Sequence, residues 1–383
     1  MSNIKIIFIG CKDIHKIGGI ENYMYNLTTC LSNKDIKCVV YCESDRSKIE
    51  YLGNTKIVHL KSIQSAYFCK ILLSFYSTLH SLITESDALL YHYNAWPPAL
   101  SSWIPKLFNK KVILQGHGFE WKRTKYNFFQ RKLLKYGEWL TALMNSNLIM
   151  VSQEQTNYFF NKYNKECTTI PSAINLPIED MANDLQILNS HNLSSGYYYL
   201  YMGRLVKDKN PDILITSFNS VCDQLDNIKL VVAGNNNNDA NFVNKLHLLA
   251  KGNPNIIFTG AIYGETKECI LRNCMAYCIP STLEGLPISL LEAMSHKKIC
   301  IASDIPSCRE ALGDNGIWVT PEDEKTLSEK FLDVYHNINI YTNIGMKNFE
   351  RVRTHYTWEL VSSKYVNYIQ NIIGNKISIK TFS

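Results

Sequence analysis

The sequence opens with IKIIFIG at residues 4–10, a continuous apolar run that ends in glycine. Such a run is typical of a parallel strand that is buried on both faces. Apolar residues then recur at helical spacing from Ile20 to Leu31, and a second apolar run follows at Cys38–Cys42. The order strand, helix, strand predicts a parallel sheet covered by helices.

This alternation continues through the first half of the chain and then begins again. Further strands of the first sheet are predicted at residues 88–91, 112–114, 147–151 and 168–170. After a polar stretch without strong periodicity, Tyr197–Met202 predicts the first strand of a second sheet. Strands at residues 229–233, 255–258, 276–279 and 299–302 continue that series, with helices at 211–222 and 326–337.

We therefore predict the α/β class, with two Rossmann-like, doubly wound domains, because 383 residues exceed what one compact core usually holds. The first domain is expected at residues 1–178, a linker at 179–196 and the second domain at 197–355. A last helix within 356–383 is expected to pack back onto the first domain. Ligands of such sheets bind at the carboxyl ends of the strands, so the expected site is a cleft that both domains face.

Composition excludes several other classes of protein. Apolar residues make up 46% of the chain and charged residues 19%, which is inconsistent with disorder, collagen or coiled coil. The opening run is too short for a signal peptide, and no window reaches the ~20 apolar residues of a membrane-spanning helix. The twelve cysteines are scattered without zinc-site spacing, so we expect reduced, mostly buried thiols. These features predict a soluble cytoplasmic protein.

Positive charge is concentrated in the first half. Residues 1–180 hold 21 Lys and Arg against 14 Asp and Glu, whereas residues 181–383 hold 19 against 20. This asymmetry indicates an anionic partner for the first half: nucleic acid, phosphate or a membrane surface.

The strongest local motif is STLEGLPISLLE at residues 281–292, which places Glu284 and Glu292 eight positions apart. It follows a predicted strand and opens a helix. Glu284 is expected in the loop at the helix N-terminus and Glu292 about two turns along the helix. Exposed N–H groups make such a loop an anion site. Taken alone, the two glutamates could also be a helix cap and a solvated side chain.

Two further motifs follow predicted strands. GRLVKDK at residues 203–209 presents Arg204 and Lys209, whose side chains suit phosphate oxygens, although basic loop residues are often only solvated. Gly18 and Gly19 precede the first helix and would let the main chain approach a ligand. Their spacing is not G-x-G-x-x-G, which disfavours a simple dinucleotide site in the first domain.

The fourth motif is QGHGFEWKR at residues 115–123. His117 stands between glycines at a strand end, where a side chain is exposed toward the expected cleft, so we favour a functional role over a buried structural one. His92 and Asn94 end the preceding strand and point the same way with weaker support.

Together these motifs resemble the retaining glycosyltransferases of the GT-B fold that use nucleotide-sugar donors, glycosyltransferase family four. The resemblance covers nearly the whole chain and includes a closing Tyr356-Thr-Trp358-Glu. The segment after Gly118 resembles more narrowly the rhamnosyltransferase-type branch of bacterial surface-polysaccharide synthesis. The chain departs from the family at Lys297 and Ile299, where glycine and proline are usual.

The resemblance implies a role for each motif residue. Arg204 and Lys209 would neutralise the donor diphosphate, and the N–H of Gly19 would assist. Glu292 would bind the ribose hydroxyls, Glu284 would hold the donor sugar beside the N–H groups of Gly285 and Leu286, and His117 would contact the transferred sugar. The leaving phosphate would help to deprotonate the acceptor on the same face, giving retention. The complete predicted set comprises the catalytic residues Glu284, His117, Arg204 and Lys209 and the substrate-binding residues Gly18, Gly19, Gly203, Gly285, Leu286, Pro287, Ile288 and Glu292.

Basic and aromatic residues alternate along Phe119–Leu140. A basic amphipathic helix of this kind suits an anionic membrane surface or a lipid-diphosphate acceptor. A solvated face over a buried aromatic stripe would fit the pattern equally well. The predicted acceptor-side or membrane-side residues are Lys122, Arg123, Lys125, Arg131, Lys132 and Lys135.

The resulting hypothesis is a hexosyltransferase that moves a sugar, rhamnose or another hexose, to a lipid-linked bacterial O-antigen, capsule or exopolysaccharide. No cofactor and no metal are expected, since Arg and Lys would carry the charge, and the protein would associate peripherally with the inner membrane. Two alternatives remain. One is an epimerase or hydrolase relative of the same fold, and the other is a nucleic-acid-binding protein, for which no known motif is present.

Overall fold

The computed structural model describes residues 4–15, 18–61, 69–124, 126–178, 181–235 and 239–374. The chain divides into two compact units. The first is formed by residues up to Ala173 together with the segment that begins at Trp358, and the second runs from Ile174 to Thr357. Each unit has a largely parallel sheet with covering helices, which confirms the predicted fold class.

The first unit contains eight strands within the described residues, in the order β3-β4-β2-β1-β5-β6-β7-β8. All neighbours are parallel except β3 and β4. The strands are β1 Lys5–Ile9, β2 Lys37–Ser44, β3 Lys48–Leu52, β4 Thr55–Lys61, β5 Leu90–Asn94, β6 Lys111–Gly116, β7 Leu148–Met150 and β8 Thr168–Thr169.

Helices cover both faces of this sheet. One face packs against α1 and the chain's last helix, with Tyr23, Leu27, Trp358 and Tyr365 in the shared core. The other face has its own core under the remaining helices. The helices are α1 Gly19–Ser32, α2 Cys69–Thr84, α3 Trp103–Leu107, α4 Phe128–Met144, α5 Gln153–Tyr163 and, from the end of the chain, Trp358–Ile373.

The second unit has six parallel strands in its described part, in the order β11-β10-β9-β12-β13-β14. Its strands are β9 Tyr198–Met202, β10 Lys229–Ala233, β11 Ile256–Gly260, β12 Ala276–Ile279, β13 Ile299–Ser303 and β14 Ile317–Val319. Its helices are α6 Asp184–Ser190, α7 Pro211–Asn219, α8 Ala240–Leu249, α9 Gly264–Asn273, α10 Ile288–Ser295, α11 Pro306–Leu312, α12 Glu324–His336 and α13 Ile338–His355, so the last helix is α14.

Three local features differ from the expectations. The antiparallel hairpin β3–β4 forms one edge of the first sheet and was not predicted, because its strands mix polar and apolar residues instead of forming continuous apolar runs. Residues 184–190, within the stretch expected to be a linker, form α6, which buries Leu188 and pairs Asp184 with Arg272 of α9 at 2.7 Å. The basic segment becomes a regular helix only at Phe128, where Asn127 and Gln130 form a reciprocal capping box.

The cysteines whose side chains are described are free thiols, and most are buried. None of the helices in the described ranges combines the length and apolarity that crossing a bilayer requires.

Candidate active site

Two loops of the second unit are tied together at the carboxyl ends of β9 and β12. The Thr282 N–H donates to the Asp208 carbonyl at 3.0 Å, and Asn210 Nδ2 donates to the Pro280 carbonyl at 3.0 Å. Asn210 is buried with a positive φ of 50° and precedes Pro211, the first residue of α7. This Asn-Pro turn therefore places the basic loop at residues 203–209 beside the loop at residues 280–287.

Lys209 and Glu284 are brought into contact by this arrangement. The Lys209 ammonium forms an ion pair with Glu284 Oε1, and the Ser281 hydroxyl donates to the same oxygen at 2.8 Å. The Glu284 side chain is 8% exposed and that of Lys209 is 20% exposed, so solvent screens the pair only in part. Both donors contact Oε1, and none of the residues that the structure describes donates to Oε2.

Arg204 follows β9 in a turn that hydrogen bonds hold in place. Its carbonyl accepts from the Tyr201 hydroxyl at 2.9 Å, and the Gly203 N–H donates to the Ala233 carbonyl at 3.0 Å. Gly234 has a positive φ, and a Cβ there would lie 1.8 Å from the Gly203 carbonyl oxygen, so the two chain segments meet with no room for a side chain. The exposed guanidinium of Arg204 has no hydrogen bond or ion pair with the residues that the structure describes.

The loop from Gly285 leads directly into α10. Leu286 and Pro287 are buried, and Ile288 is the first helical residue. The first N–H groups of a helix have no partner within it, so this end can accept an anion. Glu292 is the fifth residue of α10, just over one turn from its start rather than two.

Glu292 belongs to a charged network that joins α10 to α9. Lys267 Nζ lies 2.9 Å from Glu292 Oε1 and 3.0 Å from Glu268 Oε1, and His296 Nε2 lies 2.7 Å from Glu268 Oε2. Burial alone would lower the pKa of Lys267, but Glu292 and Glu268 outweigh burial and raise it. Burial opposes ionisation of Glu268 as well, yet contacts with His296 and Lys267 hold its pKa at about 2.

In the first unit, His117 directly follows β6 and contacts Asn94 at the end of β5. His117 Nε2 lies 2.9 Å from Asn94 Oδ1, while Asn94 Nδ2 donates to Met24 Sδ at 3.0 Å. Because a thioether sulfur can only accept, the amide oxygen faces the ring and Nε2 carries the proton. Burial lowers the pKa of His117 to about 3, so the ring is neutral near pH 7 and Nδ1 is an acceptor.

The glycine pair lies at the start of α1. Gly18 is the N-cap residue with extended backbone, and Gly19 begins the helix. A Cβ on Gly18 would lie 2.2 Å from Glu21 Oε2, whereas a Cβ on Gly19 would meet no atom within 4 Å. The Glu21 carboxylate therefore folds back over this helix end beside Gly18, whereas no described residue borders the Cβ position of Gly19.

A buried carboxylate lies beside the aromatic residues that the basic side chains contact. Glu138 of α4 is fully buried and accepts from Trp121 Nε1 at 3.0 Å and from the hydroxyls of Tyr158 and Tyr163 at 2.8 and 2.7 Å. Lys122 lies 4.2 Å from the Phe119 ring centroid and Lys135 lies 4.1 Å from that of Trp121.

Several predicted membrane-side cations thus have partners within the unit. Lys122 also pairs with Glu154 at 3.5 Å, Arg123 pairs with Glu120 at 3.0 Å, and Arg131 Nη2 donates to the Arg123 carbonyl at 3.4 Å. Lys132 lies 4.5 Å from the Phe128 ring centroid. Lys125 lies outside the described residues. The exposed apolar side chains of α4, by contrast, have no covering element in the described structure: Phe128, Phe129, Leu133, Tyr136, Trp139 and Leu143.

Comparison with known proteins gives matches to both units. The family described as "Glycosyltransferase Family 4" matches residues 17–177, and the family described as "Glycosyl transferases group 1" matches residues 186–351. Each unit therefore carries a glycosyltransferase family domain, and the two matches together span most of residues 17–351.

Two curated relatives of this glycosyltransferase have names that refer to bacterial glycans. An N,N'-diacetylbacillosaminyl-diphospho-undecaprenol alpha-1,3-N-acetylgalactosaminyltransferase from Campylobacter jejuni is 30% identical over 108 residues, which is 28% of each chain. The match thus spans little more than a quarter of that relative. O-antigen chain mannosyltransferase C from Escherichia coli is 19% identical over 373 residues, covering 94% of this chain and 96% of the relative.

A solved structure supports the fold of this glycosyltransferase over nearly its full length. Anabaena Alr3699/HepE, determined in complex with UDP and glucose, superposes with a TM-score of 0.77 at 14% identity. The superposition covers 96% of this chain and all of that one.

Two residues that contact the predicted groups, Lys267 and Glu138, were not singled out by the sequence motifs, and a third, Asn94, had only weak support. Lys267 and Asn94 contact predicted site residues from other elements, and Glu138 organises the basic segment. Lys267 had no sequence signal, because its partner lies 25 positions away. Asn94 had a weak sequence signal, since it lies at the end of a predicted strand.

Proposed function

We propose that this glycosyltransferase transfers a hexose from a nucleoside-diphosphate sugar to a lipid-linked saccharide in bacterial surface-polysaccharide synthesis, with retention of the anomeric configuration. The observation that carries the proposal is the grouping around residues 284–292. An ion-paired Glu284, an open helix end and Glu292 follow one another on a single loop and helix, with the cationic loop beside them.

Each residue type suits one part of the donor. The guanidinium of Arg204 is available to form two parallel hydrogen bonds to diphosphate oxygens, whose negative charge grows as the sugar–phosphate bond breaks. Lys209 would exchange Glu284 for a phosphate oxygen, leaving Glu284 to accept from sugar hydroxyls. Glu292 has the two acceptor oxygens that the vicinal hydroxyls of ribose require. In this proposal His117 contacts the transferred sugar, and the main chain at Gly18 and Gly19 approaches the diphosphate, with the Glu21 side chain moving away from the helix end.

The reaction requires no charged nucleophile from the protein. The departing phosphate would take the proton of the acceptor hydroxyl on the face from which the sugar leaves, so that the new bond forms on that same face. Arg204, Lys209 and the helix end would stabilise the charge, and the proposal therefore includes no metal ion.

The acceptor is proposed to be lipid-linked and the enzyme to associate peripherally with the inner face of the cytoplasmic membrane. The Campylobacter relative is named for a diphospho-undecaprenol substrate. The exposed aromatic side chains of α4 beside Lys132 and Lys135 have the character of an interfacial helix. The relatives are named for N-acetylgalactosamine and mannose, and transfer of rhamnose remains a prediction from the sequence.

A donor panel tests the proposal. UDP-, GDP- and dTDP-sugars are incubated with and without an undecaprenyl-diphosphate saccharide, and both nucleotide release and the anomeric configuration of the product are measured. We expect nucleotide release that depends on the acceptor and a product with the donor's configuration. Release or isomerisation without acceptor would instead identify the hydrolase or epimerase alternative, and an inverted product would refute retention.

A further inference from the structure

Lys267 is the one cation that contacts Glu292 among the residues that the structure describes. It extends from α9, and its ammonium lies between Glu292 Oε1 at 2.9 Å and Glu268 Oε1 at 3.0 Å. The side chains of Lys267 and Glu292 are 23% and 22% exposed, so the ion pair is partly shielded from water. None of the sequence motifs includes Lys267.

The contact with Lys267 makes the two oxygens of the Glu292 carboxylate differ in their hydrogen bonding. Oε1 accepts from the ammonium, whereas no protein donor to Oε2 is present among the described residues. On the far side, Glu268 holds Lys267 and is itself held by His296, whose side chain is 5% exposed. Glu268 therefore holds the Lys267 ammonium on the side away from Glu292, and His296 in turn fixes Glu268.

We propose that Lys267 is a positioning residue that fixes the Glu292 side chain so that Oε2 accepts a hydrogen bond from a ribose hydroxyl of the donor nucleotide. This inference rests on the proposed function, which assigns the ribose to Glu292. A glutamate held in one rotamer before the nucleotide arrives loses less conformational entropy on binding than one that samples several. Lys267 itself makes no contact with the nucleotide in this proposal.

Nucleotides with and without ribose hydroxyls provide the test. The ribonucleoside diphosphate that binds best among UDP, GDP and ADP is titrated calorimetrically, in parallel with its 2′,3′-dideoxy form. For Lys267→Met we expect the dissociation constant of the ribonucleotide to rise about tenfold, the effect of one charge-assisted hydrogen bond, and that of the dideoxynucleotide to change less than twofold. Lys267→Arg, which keeps a cation, should restore most of the ribonucleotide affinity.

Lys245→Met is the matched control. Lys245 forms an ion pair with Asp212 in the same unit, also at 3.0 Å, but does not contact Glu292. Its removal should leave both dissociation constants unchanged. Thermal melts of each variant check folding, and Lys267→Gln supplies a second neutral variant.

The outcomes separate this inference from the proposed function. An equal loss of affinity for both nucleotides would place Lys267 on the base or the phosphates and overturn the inference, as would no loss for either. If Glu292→Ala abolishes the preference for ribose while Lys267→Met keeps it, only the positioning role fails. If Glu292→Ala keeps the preference, the assignment of Glu292 in the proposed function fails, and the inference fails with it.

Discussion

The two units hold their candidate functional side chains in different electrical states. In the second unit, Lys209 forms an ion pair with Glu284, and Lys267 forms ion pairs with Glu268 and Glu292. In the first unit, by contrast, His117 is neutral near pH 7, because burial lowers its pKa to about 3, and its partner is an amide. His92 has the same low pKa, chiefly through burial, and its Nδ1 lies 2.6 Å from the Tyr365 hydroxyl.

This difference indicates what each unit is suited to bind. A paired lysine can exchange its carboxylate for a phosphate oxygen while the freed carboxylate accepts from hydroxyl groups of the ligand, which suits a nucleoside-diphosphate sugar. A neutral imidazole beside an amide offers one fixed acceptor, which suits a hydroxyl group. The charged site should thus govern the donor nucleotide, and the neutral site should govern the sugar.

The largest expected effect is loss of the charged site. Glu292→Ala and Arg204→Ala should each lower kcat/KM for transfer by about a hundredfold or more, because lost charge-stabilising contacts cost about 3 kcal/mol. Steady-state kinetics measure the effect, and circular dichroism and thermal melts check folding. Full activity in either folded variant would refute the site assignment.

Asn94→Asp would place a charge beside His117 and so remove the electrostatic difference between the two units. The carboxylate keeps an acceptor opposite His117 Nε2 but favours the imidazolium form, so the pKa of His117 should rise by about one to three units. Nitrogen-15 NMR of histidine-labelled protein follows this titration, with His117→Gln assigning the resonance. An unchanged titration in the variant would mean that position 94 does not face the ring.

Removing charge from the exposed face of α4 should weaken vesicle binding. Each basic residue near an anionic surface contributes about 1 kcal/mol, so Lys132→Ala combined with Lys135→Ala should lower affinity about thirtyfold. Sedimentation with anionic vesicles at two salt concentrations measures this, since screening should reduce the difference.

Nucleotide affinity serves as the control, because both lysines lie outside the unit that is proposed to bind the nucleotide. Unchanged vesicle binding together with lower thermal stability would show that this helix face has only a structural role.

The neutral histidines should make stability fall on mild acidification. Their folded-state pKa of about 3 lies below the unfolded value near 6.5, so the unfolded state binds more protons between these values. Lowering the pH from 6.5 to 5.5 should cost about 1 kcal/mol for each histidine.

Urea denaturation at both pH values measures this loss, with the His92→Gln, His117→Gln double variant as reference. The carboxylates with pKa near 2, such as Glu268, lose their contribution only below their unfolded pKa near 4.3, outside this window. Equal slopes in wild type and variant would contradict the neutral state of the pair.

The smallest expected effect concerns the turn after the charged site. Lys297 has a positive φ of 60°, which explains why glycine is usual there in the family it resembles. Lys297→Gly should stabilise the protein by about 0.5 kcal/mol, as relief of left-handed strain exceeds the added chain entropy. Urea denaturation checks the gain. A weaker nucleotide affinity in this variant would show that the lysine charge, and not only the turn, serves the site.

The sequence predicted those parts of the molecule that depend on local patterns. Buried strands such as Lys229–Ala233 and Ala276–Ile279 appear at the predicted positions because continuous apolar runs suit a sheet covered on both faces. The start of α4 at Phe128 was not predicted, because the basic and aromatic pattern of residues 119–140 begins before the capping box of Asn127 and Gln130. The contacts Lys267–Glu292 and Asn94–His117 join residues of different elements, and no local pattern determines which side chains meet after folding.

The path of the chain has a consequence for its synthesis. The core of the first unit includes Trp358, Val361, Tyr365 and Ile369 of α14, packed against α1 and the sheet. The second unit is one continuous segment, from Ile174 to Thr357. During translation, that segment can therefore reach its final packing before the ribosome has made α14, whereas the first unit, although its strands emerge earlier, must wait for the end of the chain to close its core.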